Sequence, residues 1–217
     1  MNNEVTVLLR SAFDAKKYLA RKKSPIILGQ KRWNDYERTS KIFFNKIKYL
    51  KFDRLILIDN TLKNSSTNIQ KLKQFIPSNV EILLTETNKY GIYNKGAGDI
   101  ETLKYVANYR NLFTDHILYF ELRLELIFLG FIQNFINKPR NFIYINPINK
   151  SANTGYFGCK TDSLFDFATT SNLESIVKDE VSIEYLLGDY AIKNNWELHN
   201  KNGYTIRYDP VIGPHLF

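Results

Sequence analysis

The chain has 217 residues, 44% of them hydrophobic, 24% charged and 14% aromatic. That is the balance of one ordinary globular domain, residues 1–217, with a real core, and it argues against a disordered or low-complexity chain. The single cysteine, Cys159, excludes an internal disulfide, and the net charge of +8 restricts partners more than it restricts fold.

The charge is unevenly placed. Residues 1–60 hold 14 Lys/Arg against 6 Asp/Glu, whereas residues 61–217 hold 16 of each. A basic opening segment suits an anionic membrane surface, a phosphorylated ligand or a solvated helix face. No zinc-finger, RNP or helix-turn-helix pattern accompanies it, so nucleic acid is not expected. No basic start followed by a long apolar run is present, and the most apolar stretch, "LIFLGFIQNFI", is too short to span a bilayer. The expectation is a cytoplasmic protein, with peripheral contact at the inner membrane.

In chain order, "EVTVLLRSA" alternates apolar residues as a first strand, and "RWNDYERTSKIFFNKIKYL" has helical spacing at Tyr36, Phe43, Ile47 and Leu50. "FDRLILIDNT" is a buried strand ending in Asp59-Asn60. "SSTNIQKLKQFI" is a capped helix and "NVEILLTE" a third strand. A Gly-rich loop, "TNKYGIYNKGAGD", precedes a helix in "DIETLKYVANYR", with Asp99 as its cap. "HILYFELRL" is the fourth strand, with Glu121, Arg123 and Glu125 on one face by period two. "LIFLGFIQNFI" reads as a helix and "NFIYINP" as a fifth strand. "SANTGYFGCKTDSLFDFA" reads as loop, short strand and helix, and "EVSIEYLLGDYAIKNN" as a helix. "WELHNKNGYTIRYDP" reads as a strand pair turning at Asn202-Gly203. Alternating strands and helices predict an α/β fold with a mostly parallel central sheet covered on both faces.

Ligands in such sheets bind beyond the carboxyl ends of the strands. That rule gathers Arg10, Asp59, Thr85–Asn88 and Glu121–Arg123 on one rim. Arg10 suits a phosphate or base edge, and Asp59 a ribose hydroxyl or pyrimidine N–H; a surface charge and a turn-forming pair explain them as well. In "NKGAGD", Lys95 and a helix start favour an anion, although the spacing matches neither a Walker loop nor GxGxxG. Glu121 and Arg123 must either pair with each other or face a polar cleft, because an unpaired buried charge is costly. Glu180 and Glu184 lie one helical turn apart, and either could act as a general base. His116, His199 and His215 are scattered, and Cys159 lacks an activating neighbour.

The order of these pieces resembles small GT-A-type nucleotide-sugar glycosyltransferases of bacterial surface-polysaccharide pathways. "VTVLLRS" and "LILIDNT" match the strands that approach the nucleotide, "YNKGAGDIETLKYV" the loop and helix beside the donor, and "ANTGYFGCKTDSLFDF" the acceptor-side segment. "SIEYLL" matches the helix that carries the catalytic carboxylate of inverting members. The resemblance implies a nucleotide-sugar donor and a saccharide or lipid-linked acceptor. It also implies a DxD holding a divalent metal, but this chain has "FELRL" there, so no metal ligand is assigned. On this reading Arg10 and Asp59 contact the nucleotide, and Lys95 and Arg123 the phosphate. Glu121 orients the donor sugar and Glu184 deprotonates the acceptor. Monophosphate and diphosphate donors both stay open. The rivals are a non-catalytic nucleotide-sugar or glycan-binding module and a magnesium-dependent nucleotidyltransferase, for which Glu121 and Glu125 would be the nearby acid pair.

Overall fold

The computed structural model describes residues 4–14, 29–200, 205–209 and 213–216. The apolar run Val5–Ser11 forms β1, buried along its whole length. It is followed by α1 (Gly29–Ile47), β2 (Arg54–Asp59), α2 (Ser66–Leu72), β3 (Glu81–Leu84) and α3 (Lys95–Ala107). A single 3₁₀ turn leads into β4 (His116–Glu121), then come β5 (Glu125–Leu126), α4 (Gly130–Asn137), β6 (Phe142–Ile145) and β7 (Ala152–Lys160). The chain continues through α5 (Thr161–Thr170), α6 (Leu173–Lys178), α7 (Ile183–Lys193), β8 (Glu197–His199), β9 (Thr205–Asp209) and β10 (Gly213–Leu216).

The central sheet has seven strands in the order β3-β2-β1-β4-β7-β6-β8. β1 is parallel to both β2 and β4, β2 to β3, and β6 to β8; β7 alone runs antiparallel to its neighbours. The mostly parallel α/β sheet expected from the alternation is therefore present. Strand alternation divides the core in two. Val5, Val7 and Leu9 pack with Tyr36 and Phe43 of α1, Leu72 of α2 and Phe131 and Phe135 of α4. Leu8, Ile56 and Ile117 face Ile100 and Leu103 of α3, Leu164 of α5, Ile176 of α6 and Leu187 of α7. Helices cover both faces.

The chain steps outward from β1 to β3 and then returns to place β4 on the other side of β1. The carboxyl ends of β1 and β4 thus form a switch point, where a crevice opens. Register sets Arg10 directly beside Glu121 there, and Ser11 beside Asp59.

Several expected boundaries move. β4 ends at Glu121, and residues 122–124 form a turn closed by Leu124 N–H donating to the Glu121 carbonyl at 2.9 Å. Arg123 therefore lies on a turn and not on a strand face. Leu122, Leu124 and Leu126 are nonetheless buried, so their period-two spacing reflects a shared core and not a continued strand. β7 is nine residues long, not short. Among the described residues the expected closing strand pair does not form: β8 joins β6 of the central sheet, while β9 pairs with β5 and β10 in a separate three-stranded antiparallel sheet. Asn202 and Gly203 lie outside the described residues.

Candidate functional site

Two adjoining cavities lie at the switch point. The larger, about 380 Å³, has a mixed wall in which the neutral polar groups Asn146, Ser151, Asn153, Thr154, Asn200 and Tyr144 stand beside apolar residues such as Leu124 and Ile145. The smaller, about 180 Å³, is lined by Arg10, Asp99 and Tyr119 and by the segment 180–184. Lys95, Glu121, Thr154 and Glu184 line both and so mark one continuous cleft. A roomier hollow, about 820 Å³, lies around Asp53, Arg54 and Glu81, at the amino ends of β2 and β3. It is remote from the carboxyl rim, and its Arg54 and Glu81 are paired with each other.

α3 begins at Lys95, so the "KGAGD" expected to be loop is the first turn and a half of the helix. Its cap is Asn94, whose side-chain oxygen accepts from Ala97 N–H at 3.2 Å; Asp99 is not the cap. The glycines serve packing. A Cβ at Gly96 would sit 2.8 Å from Ile183 Cβ, and one at Gly98 would sit 2.6 Å from Gly91 Cα. Gly96 thus lets the start of α3, with Lys95, lie against the start of α7, with Glu184. Starting the helix at Lys95 also puts Asp99 one turn on, toward the same cleft.

Arg10 is buried at the end of β1 and binds Asp99 in a direct ion pair. Its Nη1 is also 3.6 Å from Glu121 Oε1, and Arg123 Nε approaches the same oxygen to 3.5 Å. Burial works against the Arg10 charge, but Asp99 and Glu121 overcome it and hold the guanidinium well above its ordinary value. Burial pushes the Asp99 carboxyl up against the pull of Arg10, leaving it raised. Lys95 is drawn up by Glu121, but the surrounding protein and the Arg10 and Arg123 charges outweigh that attraction and leave it lowered. Its side chain is nevertheless open to the cleft, so solvent tempers the effect.

Burial alone would raise Glu121; Lys95, Arg123, Arg10 and Arg32 reverse this and hold it at about 2. Its side chain is only 8% exposed, so the shift bears on stability and corresponds to about 3 kcal/mol. Because the folded value lies below the unfolded one, this stabilisation is present above the ordinary carboxylate range and is lost as pH falls toward 2. Glu121→Gln is therefore expected to flatten the fall of the urea midpoint between about pH 5 and 2. An unchanged slope in the variant would refute the assignment.

Asp59 corrects an expectation. It is fully buried, and both oxygens are occupied. Oδ2 accepts from Ser11 Oγ at 2.8 Å and Phe13 N–H at 2.9 Å. Oδ1 accepts from Thr61 N–H and Oγ1, both at 2.7 Å, and Leu62 N–H at 2.8 Å. The carboxylate is consumed inside the protein, where it ties the turn after β1 to the turn after β2, and is not offered to a nucleotide.

Glu184 stands in the first turn of α7. Ser182 Oγ donates to its Oε2, and Thr154 Oγ1 donates to Oε1 at 3.4 Å, fixing the carboxylate in the cleft. Glu180 does not share that helix: it is exposed and precedes α7 at φ 51°. Arg123 touches Glu121 but is not among the residues that line the two cavities. Sequence reasoning missed Arg32, a buried member of the basic run in α1 that donates to the Ala12 carbonyl beneath the site. It also missed Asn153, whose Oδ1 accepts from Gly155 N–H at 2.8 Å while its buried Nδ2 has no partner.

No protein-family model and no curated protein sequence matches the chain. Solved structures do. A protein described as a nucleotide-diphospho-sugar transferase from Desulfovibrio desulfuricans superposes with a TM-score of 0.60 at 11% identity, over 92% of this chain and 80% of that one. The fold is GT-A-like. A cytidylyltransferase from Leptospira borgpetersenii has a TM-score of 0.52 at 12% identity, over 91% and 76% of the two chains. The galactosyltransferase LgtC, solved with donor and acceptor sugar analogues, has a TM-score of 0.51 at 8% identity, over 91% and 73%. At these identities the likeness concerns the GT-A-like fold and not the reaction. Among the described residues no three His, Cys, Asp or Glu side chains come together so as to hold a metal ion. Among the same residues no helix is long and apolar enough to cross a membrane.

Proposed function

We propose that this protein is a glycosyltransferase that moves a sugar from a nucleotide-sugar donor to a saccharide or lipid-linked acceptor in surface-polysaccharide synthesis. The observation that carries the reading is the continuous cleft at the β1/β4 switch point. One lobe is charged and lined by Arg10 and Lys95; the other is lined by amides and hydroxyls suited to sugar hydroxyl groups. The GT-A-like neighbours support it, since their names place donor sugars and nucleotides in the same architecture.

Arg10 and Lys95 face the donor phosphate, with Arg123 adding charge from behind Glu121. Glu121, which lines both lobes of the cleft, orients the donor sugar. Glu184 takes the proton of the acceptor hydroxyl as its oxygen bonds to the anomeric carbon. The bond from that carbon to the phosphate oxygen breaks, and the electron pair leaves with the nucleotide. Asp59 has no direct part; it shapes the turn beside Arg10.

Thermal shift against UDP-, GDP-, CMP- and TDP-sugars tests the reading, because a ligand that binds only the folded state raises the melting temperature. One donor class should raise it and should be consumed when acceptor glycans are added. No shift with any donor would refute the reading, and a shift without turnover would favour a binding module.

The basic side of α1 adds a location. Lys31, Arg38, Lys41 and Lys46 of α1 are exposed, as are Lys48 and Tyr49 in the turn just past it. This face suits an anionic membrane carrying a lipid-linked acceptor. Cosedimentation with phosphatidylserine vesicles that is lost in high salt tests it, and equal binding to neutral vesicles would contradict it.

A further inference from the structure

The GT-A-like fold implies a divalent cation at the end of β4, and the donor set of this chain does not suit one. Glu121 is the acid at that place. Its Oε1 is within 3.6 Å of Arg10 Nη1 and 3.5 Å of Arg123 Nε, and Lys95 and Arg32 add their charges. A divalent ion about 2 Å from that oxygen would enter a ring of four cations. Two other acids of the cleft are committed: Asp99 is bound to Arg10, and Glu184 accepts from Ser182 and Thr154. Glu180 stands exposed at the rim of the smaller cavity, ahead of α7, and among the described residues no three such side chains gather to hold a metal ion.

The cations differ in what remains unspent. Arg10 is occupied by Asp99, and Arg32 by the Ala12 carbonyl and the face of Tyr36, 5.5 Å from the ring centre. Arg123 Nε is buried without a hydrogen bond, but it lies behind Glu121. Lys95 makes no hydrogen bond to a described residue, lines both cavities and stands in the first turn of α3, where the helix dipole also favours an anion.

We infer that this cleft takes up the phosphate of its ligand without a divalent cation, with Lys95 supplying the neutralising charge in the metal's stead and Glu121 serving as a fixed internal anion. The inference rests on the transferase reading for the nature of the ligand, and the two can fail separately.

The full chain is titrated with Mn²⁺ under electron paramagnetic resonance, and with inorganic pyrophosphate in EDTA under thermal shift. The expected result is no stoichiometric Mn²⁺ binding and a pyrophosphate-induced rise in melting temperature without metal. Lys95→Ala should weaken pyrophosphate binding about tenfold or more, the size of one charge-assisted hydrogen bond, while Lys95→Arg retains it. Lys95 is exposed, so neither variant should impair folding. Three results overturn the inference: Mn²⁺ bound one per chain and lost in Glu121→Gln; a pyrophosphate response that requires Mn²⁺; or no pyrophosphate response at all. A metal-dependent response to a nucleotide-sugar would leave the transferase reading standing. A metal-free pyrophosphate response with no response to any nucleotide-sugar would sink that reading and spare this one.

Discussion

Replacing Asp59 by alanine is expected to lower the free energy of unfolding by about 3–5 kcal/mol, read as a shift of the urea midpoint at constant slope. Most mutations cost far less, and the reason for the large value is specific. The substitution leaves Phe13 N–H, Thr61 N–H and Leu62 N–H without an acceptor, two of them in buried bonds, and leaves Ser11 Oγ only the Ile58 carbonyl to donate to. An unsatisfied buried donor costs about 1–3 kcal/mol, and local relaxation recovers part of it. Asp59→Asn separates charge from geometry. One amide oxygen can still serve one side, but the –NH₂ would face donors on the other, so a loss only slightly smaller than that of alanine is expected. A change below about 1 kcal/mol in both variants would mean that the two turns hold their shape without the carboxylate. Asp59 would then be free for the nucleotide contact first expected of it.

The contrast between Asp59 and Arg10 shows what was legible in the sequence. Both end apolar strands, and the carboxyl-end rule correctly brought both to one rim. The strands could be read because β1, β2 and β4 are runs of buried apolar residues whose period does not depend on distant partners. Whether a rim charge meets ligand or protein depends on the turns that close over it, and these come from elsewhere in the chain. Asp59 is enclosed by residues 11–13 and 61–62, and Arg10 is claimed by Asp99 from 89 positions away.

The misread segments have the same origin. Gly96 and Gly98 looked like loop residues because glycine weakens an isolated helix. Here the absence of a Cβ is what lets α3 press against Ile183 and Gly91, so packing overrides propensity. Gly155 and Gly158 similarly made β7 look short, yet each lies where a Cβ would collide, with Leu124 and with the Phe135 ring. In "FELRLEL" the alternating leucines are buried on both sides of a turn, a pattern that period two cannot tell from a strand. Ser182 and Thr154, which fix Glu184, carried no signal: a serine two residues before a glutamate at a helix start reads as capping, and Thr154 is remote in sequence.

Those two hydroxyls make Glu184→Gln the informative test of the chemistry. Glutamine has nearly the same shape and keeps one oxygen to accept from Ser182 or Thr154, but it cannot take a proton. If Glu184 is the general base of an inverting transfer, kcat should fall about 10²- to 10⁴-fold. Donor binding by thermal shift should stay within a few-fold of the wild type, and stability within about 1 kcal/mol, because the residue is half-buried at a cleft wall and its remaining contacts are retained. A merely structural Glu184 predicts the opposite pattern, with stability lost and turnover per folded molecule kept. Thr154→Val refines the choice. It removes the hydroxyl that donates to Oε1 without touching the carboxylate, so it should lower kcat far less than glutamine does. A full kcat in Glu184→Gln would remove the residue from proton transfer and point to a retaining reaction, in which the leaving phosphate can itself take the acceptor's proton.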